Sequence, residues 1–269
     1  MQKTILVTGA TDGIGLETSK MLVAEGHHVL IHGRNPAKLQ AVQEQLSKIA
    51  GEGKVKSYIS DLSRIADVEA LIVAIAADHQ SLDVIINNAG VYNISNPVTQ
   101  DGLDARFVVN TLSPYLLTQR LAHLLGPSGR VVNLSSAAQA SIDPVALSAP
   151  SSQSDGMVYA QSKLAITMWS RHMAKTFADN GPSVIAVNPA SMLGSKMVKE
   201  AYGVSGGDLR IGADILFRAA LSDEFSNASG KYYDNDARQF AQPHPDALND
   251  DKNKALVQAI EKILEEKTL

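Results

Sequence analysis

Short apolar runs alternate with helical patterns along the whole chain. Six of these runs predict strands over residues 4–8, 29–32, 55–60, 84–86, 130–134 and 184–187. The spacing of apolar residues between them predicts helices, including one from Pro36 to about Ala50, one over 104–125 and one over 159–178. Asn180-Gly181-Pro182 is a strong signal for the end of the last of these helices.

Continuous apolar strands separated by helices indicate a parallel sheet that is covered on both faces. The fold class predicted is α/β: a doubly wound parallel sheet with helices on both faces, of the Rossmann type. No linker-like segment, low-complexity stretch or internal repeat interrupts the pattern, so we expect a single domain over residues 1–269. A chain of this length can bury one large core.

Composition narrows the range of functions. A net charge of −4 gives no basic surface for nucleic acid. The absence of cysteine excludes disulfides and thiolate metal sites, and the seven histidines form no HxxxH pair, so we expect no metal centre. No run of eighteen apolar residues and no signal peptide is visible, so we expect no membrane span and a cytoplasmic location.

A glycine-rich turn follows the first predicted strand, where a doubly wound sheet binds its ligand. Its spacing, G-x-x-x-G-x-G, differs from the usual dinucleotide fingerprint. Glycines allow a pyrophosphate to approach the backbone closely, and the free N–H groups of the following helix attract the anion. A turn of merely structural purpose is the alternative, but its position favours cofactor binding. The residues expected to contact the cofactor here are Gly9, Thr11, Asp12, Gly13, Ile14 and Gly15.

Tyr159 and Lys163 lie four positions apart, which places a phenol and an ammonium on one face of a helix. A free tyrosine titrates near pH ~10, and a neighbouring positive charge favours the phenolate and lowers that pKa. The pair therefore predicts an acid–base tyrosine whose pKa is lowered by lysine together with a second cation. Two ordinary residues on a surface helix are the alternative, because the YxxxK spacing is common.

Four motifs in order resemble the short-chain dehydrogenases/reductases over essentially the whole chain. They are the turn from Thr8 to Gly15, Asn87-Asn88-Ala89-Gly90 after the fourth strand, Ser135-Ser136 after the fifth strand, and Tyr159-xxx-Lys163. The resemblance implies a pyridine-nucleotide-dependent carbonyl reductase or alcohol dehydrogenase. An epimerase or dehydratase of the wider superfamily and a non-catalytic NADP-binding regulator are the alternatives.

The same resemblance implies the roles of individual residues. Tyr159 would be the acid–base, and Lys163 would lower its pKa and hold the nicotinamide ribose. Of the two serines, Ser136 would hold the substrate oxygen and Ser135 would be structural. Asn110 would be the fourth catalytic residue. Asn88, Ala89 and Gly90 would border the cofactor, and Asp61 with Leu62 would contact the adenine, although Asp61 is equally consistent with a turn or N-cap before Ser63.

Asn110 also has a physical argument of its own. Pro114 lies four residues later inside a helical pattern, and proline has no N–H to bond the carbonyl of residue 110. We expect a local kink that leaves this carbonyl free to hold a water, which would connect Lys163 to solvent and return the proton that Tyr159 loses. A packing kink without a role is the alternative.

The end of the second strand bears on the choice of nucleotide. Gly33 stands where NAD-specific relatives place an acidic residue, and Arg34 and Asn35 follow. An arginine can bind the 2′-phosphate of NADP, so we expect NADP(H) to be favoured over NAD(H). Asp12 stands where many NADP-specific relatives carry a basic residue, so one expected contact is missing.

Three segments bear on the substrate. The gap over 137–158 predicts a substrate loop, or else a variable surface insertion, and its width resembles the retinol-dehydrogenase-like branch. Pro189 and Ser191 are expected to contact the cofactor, although Ala190 replaces a more common glycine and disfavours a positive φ. An apolar lid is expected over 190–207, which favours a lipophilic, uncharged carbonyl or alcohol substrate unless these residues pack into the core.

The helix that carries Tyr159 is apolar on more than one side. Such a helix needs partners on more than one face, so we expect a homodimer or homotetramer. Burial within the monomer is the competing explanation. The residues concerned are Leu164, Ala165, Ile166, Met168, Trp169, Met173 and Phe177.

Overall fold

Eight strands form one sheet in the computed structural model, which describes residues 1–49 and 51–268. The spatial order is β3-β2-β1-β4-β5-β6-β7-β8, in which only the β7–β8 pair is antiparallel. The strands are β1 (Thr4–Val7), β2 (His28–Gly33), β3 (Val55–Ile59), β4 (Val84–Asn87), β5 (Arg130–Leu134), β6 (Ser183–Asn188), β7 (Tyr232–Asp234) and β8 (Gln239–Ala241).

Helices cover both faces of this sheet. They are α1 (Gly13–Ala24), α2 (Pro36–Ser47), α3 (Ile65–Asp78), α4 (Ala105–Phe107), α5 (Ser113–Leu125), α6 (Asp155–Phe177), α7 (Lys196–Tyr202), α8 (Leu209–Leu221) and α9 (Asp250–Thr268). A π turn, Val108–Leu112, joins α4 to α5 without a break. The segment between β5 and α6 contains one short 3-10 helix, Pro144–Ser148.

Side chains that alternate along each strand supply two separate cores. Leu6 on β1 packs on the face covered by α3, α5, α6 and α9, together with Leu30 and Ile85 from its neighbouring strands. Ile5 and Val7 point to the opposite face, which α1, α2 and α8 cover. Because both faces of the central strands are buried, β1 and β4 are almost entirely apolar, as the continuous runs in the sequence indicated.

The doubly wound α/β fold and all six predicted strands are confirmed. The β7–β8 hairpin was not predicted, because each of its strands has only three residues and no extended apolar run. Helix α6 begins at Asp155 rather than Tyr159, since the Ser154 side chain caps it by accepting the N–H of Met157. The segment over 137–158 that was predicted as a substrate loop therefore ends at residue 154, and α6 begins at the next residue. The predicted end of α2 at Ala50 lies outside the described residues.

The apolar residues of α6 pack within the monomer. Leu164, Ala165 and Trp169 are fully buried, in the same core as Leu256 and Ile260 of α9. Burial within the monomer, the competing explanation, therefore accounts for these three residues of α6. The homodimer or homotetramer stays a prediction.

Candidate active site

A cavity of about 500 Å³ lies at the carboxyl ends of the parallel strands. Residues that follow β1, β2, β3, β4, β5 and β6 line it, as expected for a ligand site in a doubly wound sheet. It brings together most residues predicted from the sequence: Gly9, Thr11, Asp12, Gly13, Ile14, Arg34, Asn35, Asp61, Leu62, Asn88, Ala89, Gly90, Tyr159, Lys163 and Pro189. Four other predicted site residues do not line the cavity: Gly15, Asn110, Ser136 and Ser191.

The glycine turn after β1 is built around close backbone approaches. Gly9 and Gly13 have φ of +65° and +55°, a region in which glycine is favoured. A Cβ on Gly15 would lie 2.4 Å from the carbonyl oxygen of Gly9 and 2.3 Å from Nδ2 of Asn88. Asn88 Nδ2 donates to the carbonyl oxygens of Thr8 (2.9 Å) and Gly9 (3.1 Å), so it joins the turn after β4 to the turn after β1.

His32 supports the same turn from β2, and the sequence analysis missed it. Its Nδ1 accepts the N–H of Gly9 at 3.2 Å, and its Nε2 lies 3.0 Å from the carbonyl oxygen of Ser60, to which it donates. Burial lowers the pKa of His32 to about 4, so the ring is neutral with its proton on Nε2. A histidine inside an otherwise apolar strand was the available signal.

The other side of the cavity is formed by residues that follow β2 and β3, which lie at the opposite end of the sheet from β5 and β6. These residues are Arg34, Asn35 and Asp61. Asn35 caps α2 by accepting the N–H of Lys38 at 3.0 Å, and Lys38 joins Arg34 in the cavity wall. Asp61 Oδ1 accepts both the N–H and the hydroxyl of Ser63, at 3.0 and 2.8 Å. Asp61 therefore forms the turn that was one of its two interpretations, while it also lines the cavity.

Tyr159 and Lys163 lie one turn apart on α6, and both line the cavity. Lys163 is 4% exposed, and its Nζ donates to the carbonyl oxygen of Leu134 at 2.7 Å. Nζ also lies 5.5 Å from the centre of the Tyr159 ring. The end of β5 thus holds the ammonium beside the phenol.

The expected lowering of the Tyr159 pKa is absent. Burial raises the pKa of Tyr159 to about 12, and a hydrogen bond with the Ser136 hydroxyl offsets only part of this. Burial also lowers the pKa of Lys163 to about 8. In the protein alone, the burial that brings the two groups together disfavours the charged form of each. The expected lowering requires a second cation beside Lys163 and stays a prediction.

The two serines after β5 have different surroundings. Ser135 is 2% exposed, and its Oγ bonds the carbonyl oxygen of Lys163 (3.0 Å) and the hydroxyl of Thr167 (2.7 Å). It fastens β5 to α6. Ser136 is partly exposed and its hydroxyl bonds Tyr159. Its expected role, to hold the substrate oxygen, stays a prediction.

Asn110 lies in the π turn. The N–H of Ser113 bonds the carbonyl of Val108 five residues earlier, which widens the helix just before Pro114. The expected kink and the free carbonyl of Asn110 stay predictions. The Asn110 side chain bonds the backbone of Val91 (2.8 and 2.9 Å) and the Ser162 hydroxyl (3.0 Å). It therefore links the segment after β4 to α6.

A cluster of three tyrosines covers the catalytic end of the cavity. The ring of Tyr92 lies 5.0 Å from that of Tyr159 and 5.8 Å from that of Tyr202 at the end of α7. A hydrogen bond with Tyr202, together with burial, raises the pKa of Tyr92 to about 12. Helix α7 lies within the predicted lid over 190–207 and reaches the site through this contact. Tyr92 and Tyr202 were not predicted as site residues.

The turn after β6 contains a strained alanine. Ala190 has a φ of +107°, despite the cost that a Cβ brings in this region. The N–H of Ser191 donates to Oδ1 of Asp236 at 2.8 Å, and Asn235 Nδ2 donates to the carbonyl oxygen of Pro189 at 3.0 Å. Ser191, which the sequence predicted as a cofactor contact, thus bonds the β7–β8 hairpin instead. Burial raises the pKa of Asp236, but bonds from Ser191 and Asn188 outweigh it and the pKa is lowered.

Residues 3–203 match the sequence model of a family described as short chain dehydrogenase. The chain belongs to this family. It is an NAD(P)-dependent oxidoreductase that acts on CH–OH or C=O groups. The expected short-chain dehydrogenase/reductase family is thereby confirmed.

Two human relatives agree with the expected retinol-dehydrogenase-like branch. This short-chain dehydrogenase is 34% identical to polyprenol dehydrogenase from Homo sapiens over 68% of its own length and 58% of that protein. It is 30% identical to retinol dehydrogenase 12 from Homo sapiens, over 90% of its own length and 80% of the relative.

The fold agrees with solved structures of the family. A short-chain dehydrogenase from Shigella flexneri, complexed with NADP, superimposes with a TM-score of 0.69 at 24% identity, over 87% of this chain and 97% of the other. Among the described residues of this short-chain dehydrogenase, no helix is both long and apolar enough to cross a membrane.

Proposed function

We propose that the protein transfers hydride between NADP(H) and a lipophilic carbonyl or alcohol, with Tyr159 as the acid–base. The observation that carries the proposal is the Tyr159–Lys163 pair in the wall of a cavity that begins at the glycine turn, with the Ser136 hydroxyl bonded to Tyr159. The nicotinamide supplies the hydride for reduction when it is bound. Tyr159, Lys163 and Ser136 hold the reacting oxygen and move one proton.

In the reductive direction, the hydroxyls of Ser136 and Tyr159 hydrogen-bond the substrate carbonyl oxygen. As the carbonyl carbon accepts the hydride, Tyr159 gives its proton to that oxygen, and the alcohol and a phenolate result. The buried ammonium of Lys163 stabilises the phenolate. Because burial lowers the pKa of Lys163 to about 8, this group exchanges protons readily near neutral pH and returns one to Tyr159.

The raised pKa of Tyr159 describes the site without a cofactor. In the oxidative direction, the tyrosine must lose its proton before it can act as a base. The positive charge of an oxidised nicotinamide favours the phenolate, and so does the protonated form of Lys163. We infer that cofactor binding lowers the pKa of Tyr159, which couples nucleotide binding to the readiness of the base.

A preference for NADP is supported by two cations in the cavity wall. Arg34 and Lys38 both follow β2, where the acidic residue of an NAD-specific site would stand. The structural relative from Shigella flexneri was solved with NADP. The residue at the end of β2 is Gly33, so no acidic side chain there opposes a 2′-phosphate. Gly33 packs against Thr11, whose Cγ2 would lie 2.5 Å from an added Cβ.

An uncharged, lipophilic substrate is supported by the other end of the cavity. Val91, Tyr92, Ile94 and Met197 contribute apolar surface there. Lys196 on the lid pairs with Glu200 at 3.5 Å, so its charge is partly neutralised. Two relatives are named for lipophilic alcohols, polyprenol and retinol.

The experiment that tests the proposal combines a substrate panel with Tyr159→Phe. The purified protein is expected to oxidise NADPH with long-chain aldehydes or apolar ketones, and to prefer them over carboxylate- or phosphate-bearing carbonyls. Tyr159→Phe removes the transferable proton and keeps the ring, so turnover should fall ~10²–10⁴-fold while NADPH binding persists. Ser135→Ala serves as a matched hydroxyl deletion outside the proton path.

Near-normal turnover in Tyr159→Phe would remove the tyrosine from the mechanism. Tight NADPH binding without turnover on any carbonyl would favour a non-catalytic regulator instead. The homodimer or homotetramer and the cytoplasmic location stay predictions. A mass from light scattering at micromolar concentration decides the first, and fractionation of the source cell decides the second.

A further inference from the structure

Ala190 is held in an unfavourable backbone conformation at the edge of the cavity. Its φ of +107° falls in the region that glycine adopts easily and alanine does not. Pro189, immediately before it, lines the cavity beside the Tyr159 end of the site. The conformation of residue 190 therefore decides where the backbone of the cavity wall lies after β6.

The peptide units on both sides of Ala190 are held by two consecutive residues. The carbonyl of Pro189 accepts from Asn235 Nδ2 at 3.0 Å, which fixes the peptide plane on the φ side. The N–H of Ser191 donates to Asp236 Oδ1 at 2.8 Å, which fixes the plane on the ψ side. A rotation of Ala190 toward a negative φ would break at least one of these bonds.

Further bonds tie the same hairpin to the turn. Asp236 Oδ2 accepts the Ser191 hydroxyl at 2.6 Å and Asn188 Nδ2 at 2.9 Å. The N–H of Asn235 donates to the carbonyl of Asn188 at 3.2 Å. Asn188 and Asn235 are 1% and 8% exposed, so water competes little with these bonds. The β7–β8 hairpin is thus bonded to every residue around Ala190.

We propose that Asp236 is a positioning residue that holds the turn after β6 in its strained, cofactor-ready conformation. The hydrogen bonds that the Asp236 carboxylate accepts hold a positive φ at Ala190, which glycine would adopt by its conformational freedom alone. The inference rests on the proposed function only where it concerns NADPH. The strain and its release are properties of the protein without cofactor.

A double-mutant cycle between Ala190→Gly and Asp236→Ala tests the proposal with two readouts. The first readout is the melting temperature without cofactor. Ala190→Gly relieves strain only while Asp236 enforces it, so it should raise the melting temperature by about 2–4 °C with Asp236 present. In the Asp236→Ala background the turn has already relaxed, and the same change should have almost no effect.

The second readout is the dissociation constant of NADPH, followed by its fluorescence. Asp236→Ala should weaken binding about tenfold, because the relaxed turn must be strained again when the cofactor binds. Adding Ala190→Gly should restore binding to within about threefold of the unmodified protein, since glycine adopts the required φ without strain. Ala190→Gly alone should leave binding unchanged.

Two controls separate this from general loosening of the fold. Ala178→Gly relieves another alanine at positive φ, 45°, at the end of α6, and it should raise the melting temperature without restoring NADPH binding to Asp236→Ala. Ser191→Ala removes the hydroxyl bond and keeps the N–H bond to Asp236, so its effect on binding should be under threefold. If Asp236→Ala does not fold, Asp236→Asn enters the same cycle.

The proposal would be overturned if Asp236→Ala changed the melting temperature and the NADPH dissociation constant equally in the unmodified protein and in the Ala190→Gly background. Undiminished NADPH binding in Asp236→Ala would also overturn it. Rescue by Ala178→Gly would overturn it too. Failure of the unmodified protein to bind NADPH would contradict the proposed function instead, and the melting-temperature cycle would still decide the role of Asp236.

Discussion

Two turns in this cavity meet the same conformational demand in different ways. The turn after β1 reaches positive φ at Gly9 and Gly13, where the residue type removes the cost. The turn after β6 reaches positive φ at Ala190, which is held by a hydrogen bond that Asn235 donates to Pro189 and one that Asp236 accepts from Ser191. The first turn is visible in the sequence because its solution is local, and the second is hidden because its supports lie about 45 positions away.

The difference also bears on how each turn responds to change. A glycine turn fails when a side chain is added, whereas a turn held by bonds fails when a distant bond is lost. The glycine turn also has supports of its own, from His32 and Asn88. The two turns are therefore best compared by variants that separate crowding, charge, proton binding and backbone strain.

Gly15→Ala should have the largest effect, because it adds crowding without strain. The new Cβ would lie 2.4 Å from the backbone oxygen of Gly9, a fixed atom that also accepts from Asn88. We expect a loss of about 1–3 kcal/mol in stability and a loss of measurable NADPH binding. Thermal unfolding and NADPH titration check this, and unchanged binding would mean that the turn can shift as a whole.

Arg34→Ala should have the next largest effect, confined to one nucleotide. Arg34 lines the cavity just after β2, where the acidic residue of an NAD-specific site would stand, so its loss should distinguish the two nucleotides. Loss of a charged hydrogen bond should weaken NADPH binding about 10- to 100-fold and leave NADH binding unchanged. Lys38→Ala is the companion variant on the same wall. Equal losses for both nucleotides would contradict a role at the 2′-phosphate.

The acid limb of stability should reveal the support that His32 gives to the glycine turn. Burial lowers the pKa of His32 from 6.5 to about 4. Above pH 6.5 the ring is neutral in the folded and unfolded chains, and its bonds to Gly9 and Ser60 stabilise the fold fully. As pH falls from 6.5 to about 4, the unfolded chain binds a proton that the folded chain excludes, so stability is lost.

His32→Gln should flatten this loss between pH 6.5 and 4 and should lower stability by about 1 kcal/mol at neutral pH. Chemical denaturation at a series of pH values measures both effects. His123→Gln changes an exposed histidine on α5 and should leave the acid limb unchanged. An acid limb that is identical with and without His32 would place its origin elsewhere.

The sequence predicted what short-range pattern determines. The six predicted strands, the glycine turn and the pair Tyr159–Lys163 each depend on residues close together in the chain. The sequence did not reveal the β7–β8 hairpin, whose strands are too short to carry a pattern. It also did not reveal the bonds that Ser191 donates to Asp236, since these depend on how β7 pairs with β6.

The electrostatics of the site depend on burial, which spacing alone does not give. Four residues of separation place Lys163 near Tyr159, but the pKa of each is governed by how fully the surrounding chain excludes water. Similarly, the apolar positions of α6 are consistent with a partner subunit or with α9. The path of the chain after β8 decides between them.

Gly13→Ala should have a smaller effect than Gly15→Ala in the same turn, and it is the mirror image of Ala190→Gly. Gly13 has a φ of +55°, and the nearest atom to an added Cβ would be Cβ of Ser195 at 3.8 Å, an ordinary contact. The substitution therefore adds strain without crowding and should cost about 1–2 kcal/mol. Gly26→Ala, at a φ of +81° with nothing within 4 Å, is the matched control away from the cavity. Both variants should lose similar stability. Only Gly13→Ala should weaken NADPH binding, by less than about tenfold. Helix α1 begins at Gly13, and the N–H groups of its first turn are expected to attract the cofactor pyrophosphate. A cost for Gly13→Ala well above that of Gly26→Ala would show that the turn is limited by space rather than by backbone conformation.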